Sequence, residues 1–290
     1  MPPHASGTVA AARLMISHRL WTFKYRPVRP IRFWYTYQDP ARIPTERLRM
    51  ASDYTIGKDA LLGERCRIGH YAVIEDGVVL GDDVTIGCGA VILSGTRVGN
   101  GGEVGANTTL GKQPRAGIAS TRPVEPAGPL VLGAGCVVGS SCVIYSGSTF
   151  GEGCYVGDLA GVREGCSLER TVLIGRMVTL ESSVTIGDAA RVMTGAYITG
   201  ETIIEDEVFI GPEVVTTNDR SMTMRAYTVF KGPTVKKRAT VGAAACLLSG
   251  ITVGEGALVG MGAVVIEDVP AGRIYVGVPA RDAGPVRQAN

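Results

Sequence analysis

The chain has 290 residues, 40 of them glycine, and a net charge of +2. Glycine stands at about twice its usual share of ~7 %, which suits a repetitive solenoid better than a packed α/β core, and Pro plus Gly stay below a disordered level. The near-balanced charge, with no sustained basic stripe, argues against a nucleic-acid partner; no run of ~18–20 apolar residues is present to span a bilayer, and the first segment lacks the charged-then-apolar order of a signal peptide, so a cytoplasmic protein is expected.

Residues 1–52 stand apart in composition. They carry nine Lys or Arg against Asp39 and Glu46, a local surplus of +7 that leaves −5 for the remainder, and both tryptophans, Trp21 and Trp34. Residues 8–23 can form a helix, and the prolines at 27, 30, 40 and 44 favour an extended arm after it. Such a basic and aromatic arm most often packs on its own oligomer; a membrane surface, RNA or another partner are the alternatives. Translation starting at Met50 is a further reading, since the repeat opens just after it.

From Ile56 an aliphatic residue recurs every sixth position through Leu62, Ile68, Ile74 and onward to Leu110. After one break the phase resumes at Leu132 and continues to Thr216; after a second it runs from Val235 to Val265. Two residues before each aliphatic comes a small or β-branched side chain, such as Ala72, Ala90, Ala160, Val184 and Ala263, and glycine commonly follows it. A period of six fits neither an α-helix nor a simple alternating strand, so the expected fold is all-β: a solenoid of about ten three-sided coils over residues 53–272, with a cap and tail at 273–290. Cys66, Cys136, Cys142, Cys154 and Cys166 fall at the small inward position and read as core fillers rather than ligands or nucleophiles. Cys88 and Cys246 fall elsewhere and read as lone surface thiols.

The breaks become loops at 111–129 and 217–234. If each advances the solenoid by one side, both leave from a single edge, where Glu75, Leu93, Tyr145, Arg163, Glu181 and Thr199 stand at positions that are richer in glycine on the other two edges. Ser146, Glu164, Ser182, Gly200 and Asn218 form the next column along. Loops and reaching side chains on one edge point to a ligand site, against the plainer reading of solvated turn residues.

Gly-Lys-Gln-Pro-Arg (111–115), Gly-Asp-Leu-Ala-Gly-Val-Arg-Glu (157–164), Thr-Asn-Asp-Arg (217–220) and Phe-Lys-Gly-Pro-Thr-Val-Lys-Lys (230–237) resemble segments of hexapeptide-repeat acyltransferases. The likeness is to bacterial N-acetyltransferases of dTDP- or UDP-linked amino sugars, in the branch acting on 3-amino-3,6-dideoxyhexoses. Val-Gly-Val-Pro-Ala (276–280) is similar to the motif with which many of these proteins cross their last coil. The resemblance implies a left-handed parallel β-helix, a homotrimer with its sites between subunits, acetyl-CoA or another acyl-CoA as cosubstrate, no required metal, and direct attack of a sugar amine on the thioester. Many relatives use a histidine base; here His70 lies on another edge and reads as an exposed turn residue. Glu164 is therefore the first candidate to accept the amine proton, with Asp219 second, and Asn218 is a candidate to orient a sugar hydroxyl or the thioester carbonyl. Lys112, Gln113, Arg115, Tyr145, Arg163 and Glu181 are expected to bind the nucleotide sugar, with Arg122 also placed to meet phosphate; Lys231, Lys236 and Lys237 are candidates for the coenzyme phosphates. The rival functions are acyl transfer to another small amine or hydroxyl, and a non-catalytic scaffold. A γ-class carbonic anhydrase needs three histidines on the helix, which this sequence does not supply.

Overall fold

The computed structural model describes residues 53–118, 124, 126–221 and 230–287; the 1–52 arm, Arg122 and the last three residues lie outside the described residues. The hexads fold as the left-handed parallel β-helix expected of them. Two-residue strands alternate with tight turns and stack into three parallel sheets, so that two side chains in each hexad, the aliphatic one and the residue two places before it, point inward. The first sheet has eleven strands, from Thr55–Ile56 to Val264–Val265, and the second ten, from Leu61–Leu62 to Thr252–Val253. The third has twelve and begins at Arg67–Ile68.

Register is strict. Ile74 pairs with Ile92, Leu168 with Ile186 and Ile174 with Val192, so each residue lies above its equivalent one coil earlier. The aliphatic column is closed to solvent: Ile74, Ile92, Ile144, Ile174 and Leu180 have no exposed surface. Each such burial contributes on the order of 1.5–3 kcal/mol. Mostly small or β-branched residues two places earlier, such as Ala72, Ala90 and Val184, complete the core between the three converging sheets, with Leu130 and Ile251 as larger members of the same column.

Most polar fillers at that small position are satisfied by a regular device, although the buried Thr96 hydroxyl has no hydrogen-bond partner among the described residues. The thiols of Cys136, Cys142, Cys154 and Cys166 donate to the carbonyls of Gly151, Gly157, Glu169 and Glu181 at 3.0–3.2 Å, and the Ser148 hydroxyl donates to Arg163 O at 2.9 Å. These four cysteines are buried and unpaired, as core fillers should be, while Cys88 and Cys246 are exposed and Cys66 is half-buried. Burial pushes the Cys166 thiol up to about 12.

The insertions preserve the count. Leu110 pairs with Ile144 and Ile204 with Val235, so each loop replaces one turn and the next side follows in order. After Val265 the chain adds Arg273–Val276 parallel to the third sheet and Arg281–Pro285 antiparallel to that strand. The intervening Val-Gly-Val-Pro-Ala segment crosses to the top of the first sheet, where Val264 N donates to Gly277 O at 3.0 Å and Ala280 N donates to Val264 O at 2.8 Å. Among the described residues no helix is long and apolar enough to cross a membrane.

Glycine after the aliphatic residue is a packing requirement. A Cβ on Gly105 would lie 2.4 Å from the carbonyl carbon of Gly139, whereas one on Gly161 would meet nothing within 4 Å. Gly105→Ala is expected to cost about 1–3 kcal/mol by overpacking and Gly161→Ala less than about 0.5 kcal/mol. Urea unfolding followed by circular dichroism checks both; equal midpoints for the two variants would mean that inter-coil contact does not set the glycine pattern.

Candidate functional site

Both loops leave from the corner that leads from the first sheet to the second. The first departs from Thr109–Lys112 and the second from Val215–Thr216, both first-sheet strands. Five strand steps separate these roots, which at about 4.8 Å each makes roughly 24 Å.

Each departure carries a local irregularity. Gly111 takes φ 82°, and the register slips there so that Lys112 pairs with Tyr145; a Cβ on Gly111 would stand 2.2 Å from Thr96 Oγ1. Lys112 O then accepts from Ser146 N at 3.0 Å. At the second root a threonine replaces the aliphatic residue. Thr216 is buried, and its hydroxyl accepts the Thr199 N–H at 2.8 Å, in place of a backbone carbonyl. Asn218 O accepts from Lys231 N at 2.9 Å, which closes the base of this loop.

Two cavities lie along the corner. One of about 670 Å³ is lined by Glu75, Leu93, Ser94, Lys112, Gln113, Arg115 and Tyr145. The other, about 250 Å³, is lined by Arg163, Glu164, Glu181, Ser182, Tyr197, Thr199, Gly200 and Asn218, with Val124 of the first loop against it. The first loop thus reaches from one cavity to the other, and Gln113 Nε2 ties its limbs by donating to Ala127 O at 3.4 Å.

Arg163 is the hub between them. Its Nε and one terminal nitrogen donate to the two oxygens of Glu164, each at 2.8 Å, and its other terminal nitrogen stands 3.5 Å from Glu181 Oε2. On its other side the guanidinium lies 5.2 Å from the Tyr145 ring centroid, and Lys112 Nζ is also 5.2 Å from that centroid. Two cations on one ring are each worth about 0.5–1 kcal/mol at a partly exposed site. The bond to Glu164 holds the Arg163 guanidinium above its ordinary range, so the charge is permanent.

The structure therefore brings together Lys112, Gln113, Arg115, Tyr145, Arg163, Glu164, Glu181 and Asn218. It orders them by coil, with basic and aromatic groups toward the first loop and carboxylates toward the second. Asn218 Nδ2 donates to Gly200 O at 3.3 Å, which leaves its side-chain oxygen as the acceptor. Within its own loop, Asp219 Oδ1 accepts from Ser221 N and Oγ at 2.8 Å each. Lys231 stands at the end of the second loop and is exposed. Lys236 and Lys237 follow Thr234–Val235 of the second sheet, on a different corner, and their ammonium groups pair with Glu205 and Asp206 at 2.7 and 3.3 Å. His70 follows a third-sheet strand, also away from the loops, with Nδ1 3.6 Å from Asp53 Oδ2.

Glu75, read from the sequence only as an edge residue, and Tyr197 line the cavities, although the sequence assigns neither a role there. Glu75 Oε2 accepts from Ser94 N and Oγ at 2.9 Å each, so its carboxylate is fixed at the mouth of the larger cavity. The sequence signal for it was present, since it heads the same corner column as Arg163 and Glu181. Tyr197 is the outward residue of a first-sheet strand and lines the smaller cavity.

The family model described as bacterial transferase hexapeptide (six repeats) matches residues 59–94 and 77–112, and that of the hexapeptide repeat of succinyl-transferase matches 235–267. No curated protein matches the chain. Among solved structures, a UDP-N-acetylglucosamine acyltransferase from Bacteroides fragilis is 18 % identical over 82 % of this chain and 74 % of its own, with a TM-score of 0.42. A UDP-N-acetylglucosamine acyltransferase from Arabidopsis is 15 % identical over 82 % and 74 %, with a TM-score of 0.41. A hexapeptide-repeat acetyltransferase from Vibrio cholerae, complexed with acetyl coenzyme A, is 22 % identical over 40 % and 71 %, with a TM-score of 0.34. These likenesses are distant. The chain carries the hexapeptide repeat of bacterial transferases over residues 59–112 and 235–267.

Glu164→Gln keeps the shape of the Arg163 partner and removes its charge. The expected loss is about 1–2 kcal/mol, the difference between a charge-assisted and a neutral hydrogen bond at a partly buried position. A chemical-unfolding midpoint equal to that of the unsubstituted protein would show that the pair contributes nothing.

Proposed function

We propose, for a chain that carries the hexapeptide repeat of bacterial transferases, an acyl-CoA-dependent N-acyltransferase acting on the amine of a nucleotide-linked amino-deoxy sugar in the cytoplasm, with acetyl-CoA as the preferred donor. The observation that carries this reading is the alignment of two loops, two cavities and the Tyr145–Arg163–Glu164–Glu181–Asn218 row on one corner of the solenoid.

Lys112 and Arg115 give the larger cavity the charge to hold a diphosphate, and Tyr145 and Leu93 give it apolar surface for a base or sugar ring. The smaller cavity then receives the amine and the thioester. An amine nucleophile is partly unprotonated near neutrality, so holding it in line with the carbonyl supplies much of the acceleration. The Asn218 amide is suited to position the reacting groups. A coenzyme role for Lys231 is retained, as it stands exposed where the second loop rejoins the solenoid; Lys236 and Lys237 serve a coenzyme only if its phosphates displace their carboxylate partners.

Oligomerisation fits the same reading. Leu159 and Met177 are exposed on successive coils, at the turns leading from the third sheet to the first, and Tyr155 is exposed on the third-sheet strand beside them. An apolar strip of this kind on a regular solenoid suits burial against another copy, and a threefold arrangement is proposed.

Incubation of the purified chain with acyl-CoAs and dTDP- or UDP-linked amino sugars should give thiol release and a product heavier by one acetyl group, and acetyl-CoA should raise the melting temperature. A hydroxyl acceptor acylated in preference to every amine would move the activity to the rival class, and no shift with any acyl-CoA would leave a scaffold. Light scattering is expected to return the mass of three chains, and a monomer at micromolar concentration would remove the trimer.

A further inference from the structure

The smaller cavity holds two carboxylates from successive coils, and they are not equivalent. Both oxygens of Glu164 accept from Arg163, at 2.8 Å each. Protonating either oxygen gives up one of two charge-assisted bonds, the stronger kind of hydrogen bond in a protein. Glu181 carries no such constraint. Its one ionic contact is the 3.5 Å approach of Arg163 to Oε2, and its side chain accepts no hydrogen bond from a described residue. It lies between the Arg163–Glu164 pair on one side and Thr199, Tyr197 and Asn218 on the other, lining the same cavity.

Resting on the acyltransfer reading, we propose that Glu181 is the proton acceptor of the reaction and that Glu164 acts as a positioning residue through Arg163. The Asn218 side-chain oxygen, left free by the bond of its Nδ2 to Gly200 O, accepts a hydrogen bond from the attacking amine. The amine lone pair forms the N–C bond to the thioester carbonyl carbon, the C–S bond breaks, and coenzyme A departs as a thiolate. The surplus amine proton passes to a Glu181 oxygen, and Glu181 returns it to the thiolate or to solvent, so the carboxylate is regenerated each turnover. Arg163 serves both carboxylates in this scheme. It clamps Glu164 as its fixed counter-charge and stands beside Glu181, where it keeps that side chain directed at the cavity.

The test compares Glu181→Gln, Glu181→Asp and Glu164→Gln with the unsubstituted full-length chain. Initial rates of thiol release are measured with acetyl-CoA and the nucleotide amino sugar found in the acceptor screen, across pH 5.5–9, with melting temperature and acetyl-CoA dissociation constant measured alongside. For Glu181→Gln the expectation is a kcat lower by about 100-fold or more, within the range for loss of a general base. Both KM values and the acetyl-CoA affinity stay within about threefold. Glu181→Asp recovers part of the rate. Glu164→Gln raises the acceptor KM and lowers kcat by less than about tenfold at each pH. Wild-type kcat in Glu181→Gln would overturn the proposal, as would a larger loss of kcat in Glu164→Gln than in Glu181→Gln. Turnover by the unsubstituted chain separates these outcomes from failure of the acyltransfer reading, because absence of thiol release with every acceptor overturns that reading and the proposal together.

Discussion

Everything in this protein depends on the backbone hydrogen bonds that stack one coil on the next in strict register. Thr149 N donates to Cys166 O, Gly151 N to Leu168 O and Thr171 N to Glu152 O, and equivalents repeat along the solenoid. The bonds oblige each position to sit above its counterpart, so a side chain's environment is set by its place in the hexad and by its sheet. Burial, turn geometry and site construction then become properties of columns rather than of single residues.

A column with one environment tolerates few residue types, which explains both the monotony of the core and its exceptions. Inward polar atoms survive where a turn carbonyl faces them, as for the thiols and Ser148. Thr216 is the exception at the aliphatic position itself, and it coincides with a loop root. There the regular backbone ladder between Val215–Thr216 and its neighbour is reduced to a single registered pair, Tyr197 with Val215, and the Thr216 hydroxyl serves the Thr199 N–H instead. At the other root a glycine with positive φ and a one-residue slip achieve the same end. The solenoid gives up regularity at the two points from which the loops must leave, and on one corner.

Between those points the corner is an electrostatic gradient. Lys112 and Arg115 mark one end, the Arg163 guanidinium stands between the cavities, and Glu164 and Glu181 face the other. Elsewhere on the surface, charges neutralise each other in short exposed pairs such as Arg65 with Asp83 and Arg170 with Asp188, which contribute little to stability. Lys236 and Lys237 belong to that second class. Their proximity in sequence to the second loop does not bring them to its corner, because one hexad of separation is a rotation to the next face.

The sequence alone determined the fold class, the buried columns and the identity of the inward cysteines, and it put both loops on a common corner once each break is taken to advance the chain by one side, an advance that the pairing of Leu110 with Ile144 and of Ile204 with Val235 supplies. The first three follow from a period of six and from counting, since a three-sided coil closes every eighteen residues. The tertiary structure alone decided the pairings within the corner. A column tells that Arg163, Glu164 and Glu181 are neighbours, but not that Arg163 spends two donors on Glu164 and leaves Glu181 with a single long contact. Nor does periodicity show that Asp219 Oδ1 accepts from Ser221, or that Glu75 is anchored by Ser94. Such choices depend on side-chain torsions and on distances of a few tenths of an ångström, which a repeat pattern does not encode.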